Sequence, residues 1–165
     1  MNDSTRRWAG IQGFASEVSL QLEPRLTSQL LSAMDPNSSF DGGLRLTNKF
    51  IETGLKFTAI LAFDDYTALG AIRALWKAGR RVPDDCSVIG FDDIPLAGVS
   101  TPGITTIRQP MMDMGKLATR LVLEAMARPK DGPAVTNLLH MMPPELVERD
   151  STQKIPAKGR RAITR

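Results

Sequence analysis

Two rhythms alternate along the middle of this chain. Thr58-Ala59-Ile60-Leu61-Ala62-Phe63 is an unbroken apolar run of strand length, ended by Asp64-Asp65. Ala68, Leu69, Ile72, Leu75 and Trp76 then recur at helical spacing, up to a stop at Gly79. Val82-Pro83-Asp84-Asp85 reads as a turn. Ser87-Val88-Ile89-Gly90-Phe91 is a second apolar run, again ended by a carboxylate pair, Asp92-Asp93. Past Pro102, Ile104-Thr105-Thr106-Ile107 is a third. Strands joined by short crossovers predict a parallel sheet, and the unbroken apolar runs predict strands covered on both faces.

The flanks are less regular. Trp8, Ile11, Ala15 and Val18 make one apolar face of a first helix, with Ser4 or Thr5 as its cap. Residues 29–34 read as a short strand, and Asp35-Pro36-Asn37-Ser38-Ser39 as a turn. A helix through Leu44, Leu46, Thr47, Phe50 and Ile51 ends at Gly54. After Pro110 the longest helix, about 111–127, carries a wide stripe of Met111, Met114, Leu117, Ala118, Leu121, Val122 and Ala125. Arg128 to Pro133 breaks it. Residues 137–142 and 145–149 read as two strand pieces around Pro143-Pro144.

Composition changes this picture little. The hydrophobic share of 42% and charged share of 24% over 165 residues are those of a globular domain. No apolar run nears the roughly 18–20 residues of a bilayer span, and no signal core follows Met1; a cytoplasmic protein is expected. The net charge of +3 comes from residues 151–165, which hold five basic side chains and no acid, leaving a net −2 elsewhere. That tail reads as a solvated terminus. The body shows no basic face interleaved with aromatics, so direct nucleic-acid binding is not expected.

Chemistry points to the strand ends. In open parallel sheets ligands gather at the carboxyl ends of strands, and both aspartate pairs lie there. A carboxylate at such an end can accept hydroxyl donors from a sugar or an N–H from a purine. Asp65 can equally cap the helix that follows, Asp64 less readily; for Asp92 ligand contact is the better reading. Cys86, the only cysteine, reads as a core thiol, and His140, the only histidine, as a packed side chain. No triad or phosphate-binding glycine loop is present; neither a cofactor nor a metal is expected, and the chain does not read as an enzyme.

The block Phe57 to Ala71, the stretch Arg80 to Asp93, Thr101-Pro102-Gly103-Ile104-Thr105-Thr106-Ile107-Arg108-Gln109-Pro110, and Pro144 to Thr152 together resemble the lactose/galactose-repressor family of transcriptional regulators. The match covers about residues 57–152, and residues 6–56 fit more loosely through Arg7-Trp8-Ala9-Gly10. The resemblance implies a three-layer, doubly wound α/β fold of the periplasmic-binding-protein type. Residues 1–109 would form the C-terminal effector subdomain. Segment 110–143 would belong to the N-terminal subdomain, 144–152 would return as a strand, and 153–165 would be the basic tail.

The same resemblance implies that Arg7 and Asp92 bind effector, with Gln109 a further candidate at a crossover. Asp64 stands where many members carry asparagine. Ser38 or Phe40 matches an aromatic that stacks on the ligand. The helix-turn-helix headpiece and most of the N-terminal subdomain would lie outside these residues, so operator DNA would be met only through that headpiece. The apolar helix 111–127 would pack on its own sheet or on another protomer, giving a homodimer, with swapping of this helix as one arrangement. Two other readings stand beside this one: a metal-dependent phosphotransfer or phosphoacceptor domain using Asp64, Asp65, Asp92 and Asp93, and a free-standing sugar-binding protein.

Overall fold

A computed structural model describes residues 3–28, 38–128 and 139–154. Helix α1 (Asp3–Glu17) and a 3₁₀ turn (Pro24–Leu26) precede α2 (Ser38–Glu52). The core unit follows: β1 (Ala59–Leu61), α3 (Asp65–Lys77), β2 (Ser87–Asp92), α4 (Pro95–Val99) and β3 (Thr105–Arg108). Helix α5 (Met111–Met126) and β4 (Glu145–Val147) complete it.

The strands form one sheet in the order β1-β2-β3-β4. β1, β2 and β3 are parallel, with Leu61 beside Ile89 and Phe91 beside Ile107. β4 returns antiparallel, Arg108 facing Glu145. The sheet is thus α/β and parallel-dominated, with one antiparallel strand at its edge.

Alanines make the close packing possible. Ala68, Ala71 and Leu75 of α3 lie fully buried with Cys86, Val88, Ala97 and Ile104, and Ile51, Phe57, Ile60 and Ile72 pack around them. Two glycines let α2 and α3 touch backbone to backbone: a Cβ on Gly43 would strike the carbonyl of Thr67, and one on Gly70 that of Phe40. The stops at Gly54 and Gly79 are as read, with φ of +69° and +73°.

The C-terminal segment is stitched into this core by Ser151. Its hydroxyl donates to the Val88 carbonyl at 2.6 Å and accepts from Thr105 N at 2.8 Å. Its own carbonyl accepts from Val88 N at 2.8 Å. A single buried serine therefore bridges β2 and β3.

Several expectations change. β1 is covered on one face only: Ile60 and Ala62 point to the core while Ala59 and Leu61 are exposed, because among the described residues α3 is the one helix packed closely on β1. Trp76 is 66% exposed and stacks on Arg73 at 4.5 Å, so alanines rather than Trp76 fill the α3 contact. Val18 lies beyond α1 and is exposed, and α1 begins at Asp3, ahead of the expected caps Ser4 and Thr5. His140 is exposed, and residues 139–142 are not a strand. The strand expected at 29–34 lies outside the described residues.

Helix α5 does not pack on the sheet. It holds no buried residue, and Met111, Met114, Val122 and Leu123 are between 45% and 61% exposed. Cys86 is the inert thiol expected, since burial pushes it up to about 11.

Candidate effector-binding site

The triplet Phe-Asp-Asp occurs twice, at 63–65 and at 91–93. Because β1 and β2 are neighbours in parallel register, the two triplets emerge side by side at one end of the sheet. Within each triplet the three residues do different work.

Both phenylalanines serve Arg7. Its guanidinium carbon lies 4.3 Å from the Phe63 ring centroid and 4.4 Å from that of Phe91. It also donates from Nη1 to the Phe63 carbonyl at 2.9 Å. An arginine between two ring faces is fixed in orientation. Helix α1 is thereby tied to the end of the sheet.

The two aspartates of the first triplet point different ways. Asp64 caps α3, its Oδ1 accepting from Thr67 N at 2.7 Å. Asp65 is fully buried and passes over Gly90, where any Cβ would collide with its Oδ1. There it accepts from Thr106 Oγ1 at 2.6 Å and from Ile94 N at 2.9 Å. Burial raises the Asp65 carboxyl above its ordinary range, the two hydrogen bonds oppose this, and the nearby charges of Asp92 and Asp93 add to it.

The second triplet divides similarly. Asp92 is half-buried, and its Oδ1 accepts from Gln109 Nε2 at 2.6 Å. Asp93 faces two arginines, Arg149 Nη2 and Arg108 Nε, each at 2.6 Å. Burial alone would raise its carboxyl, but the hydrogen bonds from Arg149 and Arg108 outweigh this and hold it below its usual range. Both residues have positive φ, +105° and +56°, a conformation uncommon for residues with a Cβ and concentrated at functional sites.

Of the sequence-predicted residues, Arg7, Asp64, Asp92 and Gln109 meet at this rim. Phe40 instead belongs to the α2–α3 contact, its carbonyl set against Gly70; Ser38 heads the same helix. Sequence reasoning missed Phe63, Phe91 and the arginine grip on Asp93. The repeated triplet was the available signal.

The phosphotransfer alternative fails on these contacts. Both oxygens of Asp65 are taken by Thr106 and Ile94, and both of Asp93 by Arg149 and Arg108. Among the described residues no three histidine, cysteine or acidic side chains are gathered to hold a metal ion. Two grooves, about 400 Å³ along α2 at Asp41 and Asn48 and about 550 Å³ on α5 at Lys116 and Leu123, are each lined by a single helix.

Comparison with known proteins agrees with this architecture. Residues 2–152 match the family described as the periplasmic binding protein-like domain. The chain belongs to that family. It is 35% identical over 145 residues to the HTH-type transcriptional repressor PurR of Vibrio cholerae, covering 88% of this chain and 41% of the repressor. The solved structure of transcription regulator CcpA of Lactococcus lactis superposes with a TM-score of 0.74 at 25% identity, over 91% of this chain and 51% of that one. A LacI family transcriptional regulator from Enterococcus faecium with bound ribose gives 0.60 at 28% identity, over 71% of this chain and 41% of that one. The chain spans between 31% and 43% of the length of the curated relatives it matches. The resemblance to lactose/galactose-type repressors, and the effector-domain fold it implied, are borne out. No helix of the described residues is long and apolar enough to cross a membrane.

Proposed function

We propose that this chain is the effector-sensing part of a cytoplasmic transcriptional regulator, binding a small polar molecule of the sugar or nucleobase class at the rim built by Arg7, Asp64, Asp92 and Gln109. It acts by binding, not by catalysis. The observation that carries this reading is the Arg7 guanidinium held between Phe63 and Phe91 at the strand ends that also present Asp64 and Asp92. Such a site sets a fixed guanidinium beside carboxylate acceptors, charge and polarity suited to a ring of hydroxyls or a purine edge. The ribose held by the Enterococcus relative supports the same ligand class.

In this reading residues 1–109 form one wall of the effector cleft, 110–143 belong to the facing subdomain, 144–152 return to the first, and 153–165 are a tail. Closure of the cleft on effector shifts the affinity of a DNA-binding headpiece for its operator. The apolar face of α5 is covered by a second protomer, because each Leu, Val or Met removed from water contributes about 1.5–3 kcal/mol.

Calorimetric titration of the chain with D-ribose, hexoses and purines tests the reading. Saturable heat with at least one of them, lost in both Arg7→Ala and Asp92→Ala, is the expected result. No heat with any of them from a folded chain, or equal heat from the variants, would overturn it.

A further inference from the structure

Two separate stretches of chain converge on the carboxylate of Asp93. Arg108, the last residue of β3, reaches one oxygen at 2.6 Å, and Arg149, just past β4, reaches the other at 2.6 Å. The Asp93 side chain is only 8% exposed and Arg149 21%, so their charge-assisted bond is less screened than a surface pair, while Arg108 reaches in from a half-exposed position. Each arginine is oriented in turn. Arg149 Nη1 donates to the Ile104 carbonyl at 2.8 Å, and Arg108 Nη1 to Glu145 at 3.1 Å.

The backbone gives this grip its purpose. Asp92 and Asp93 are consecutive residues with positive φ, and neither is glycine. Such a pair persists only where its surroundings enforce it. The turn it makes carries the Asp92 carboxylate to Gln109, and Gln109 immediately follows Arg108. Adjacent residues of the exit from β3 therefore hold adjacent residues of the exit from β2: Arg108 holds Asp93, and Gln109 holds Asp92.

We propose that Asp93 is the positioning residue of this rim: gripped by Arg108 and Arg149, it holds the left-handed turn that sets the Asp92 carboxylate against Gln109, and it links that carboxylate to both points where the chain leaves and re-enters the sheet around α5. Asp93 itself meets no effector. The functional meaning rests on the reading of Asp92 as an effector contact. The test below uses no effector, so its failure leaves that reading standing, and a failed sugar titration leaves this one standing.

The full chain, isotopically labelled, is compared with Asp93→Asn by nuclear magnetic resonance. Asparagine tolerates positive φ as aspartate does, so the substitution removes the charge without imposing a new backbone preference. The side-chain amide protons of Gln109 are expected to move from a hydrogen-bonded to a solvated position, and the Asp92 carboxyl carbon to shift with them, while the methyl signals of Leu75, Val88 and Ile104 stay in place. If Asp93→Asn does not fold, Arg108→Gln replaces it, since this removes a half-exposed side chain and leaves the Arg149 bond. Gln109 and Asp92 signals that keep their wild-type positions in a folded variant overturn the proposal, even if the variant is less stable, because they would mark Asp93 as a brace for the fold alone.

Discussion

Asp65 and Thr106 join α3 to β3 through a 2.6 Å hydrogen bond that crosses β2 at the one residue without a side chain, Gly90. The bond is buried, and the path exists only because position 90 is empty. Gly90→Ala is therefore expected to cost roughly 1–3 kcal/mol, the range for overpacking a close-packed core. Denaturant unfolding would show a lower midpoint with an unchanged slope. A stability equal to wild type would mean that Asp65 can move aside freely.

Ser151 offers a second stability test. Its hydroxyl serves Val88 and Thr105 together, and both groups lie where water does not reach. Ser151→Ala strands the Thr105 amide and removes the Ser151 donor from the Val88 carbonyl. About 1–3 kcal/mol of destabilisation is expected, the range for leaving buried polar groups unsatisfied. Hydrogen exchange at Thr105 N should accelerate more than at neighbouring core amides.

The two inner carboxylates give opposite pH slopes. Asp93 is held below its ordinary value, so its contribution is present above the unfolded value of 3.8 and fades as pH falls through its lower folded value. Asp65 is raised above 3.8, so its contribution is complete below 3.8 and is lost as pH climbs through its higher folded value. Asp93→Asn should accordingly flatten the loss of stability on the acid side, measured by urea unfolding at stepped pH below 5. An acid limb identical to wild type would show that the arginine grip does not act on folding.

Covering α5 predicts an oligomer. Sedimentation of the chain at micromolar concentration should show a dimer, and Val122→Asp, placing a charge on the 57% exposed Val122, should weaken it by at least about tenfold, the equivalent of about 1.4 kcal/mol. A wild-type chain that sediments as a monomer would remove the second protomer from the reading of α5.

Much of the α/β unit was legible because its strands and helix obey their own periods: the runs at 58–63 and 87–91 are too short and too apolar to be helices. The overcalled positions share a physical cause. Trp76 and Val18 fall at the right spacing, but α3 buries Ala68, Ala71, Ala74 and Leu75 instead of Trp76, with Gly43 and Gly70 bringing α2 and α3 backbone to backbone, and α1 ends before Val18. The both-faced covering predicted for β1 presupposes a neighbour on each side, which an apolar run cannot reveal by itself. At the rim, the carboxylates were visible as candidates but their partners were not. Arg108, Arg149 and Ser151 act across gaps of 15 to 63 residues, and no local pattern announces a contact at that range.

In each doubled aspartate one member stands at the rim and the other is tied across the sheet: Asp64 caps α3 and Asp92 meets Gln109, while Asp65 and Asp93 are locked to Thr106 and the two arginines. On the proposed reading, exchange of Asp64 or Asp92 for its amide retunes which small molecule is recognised, and asparagine at 64 still caps α3. Asp65 and Asp93 then belong to the architecture that displays those two positions.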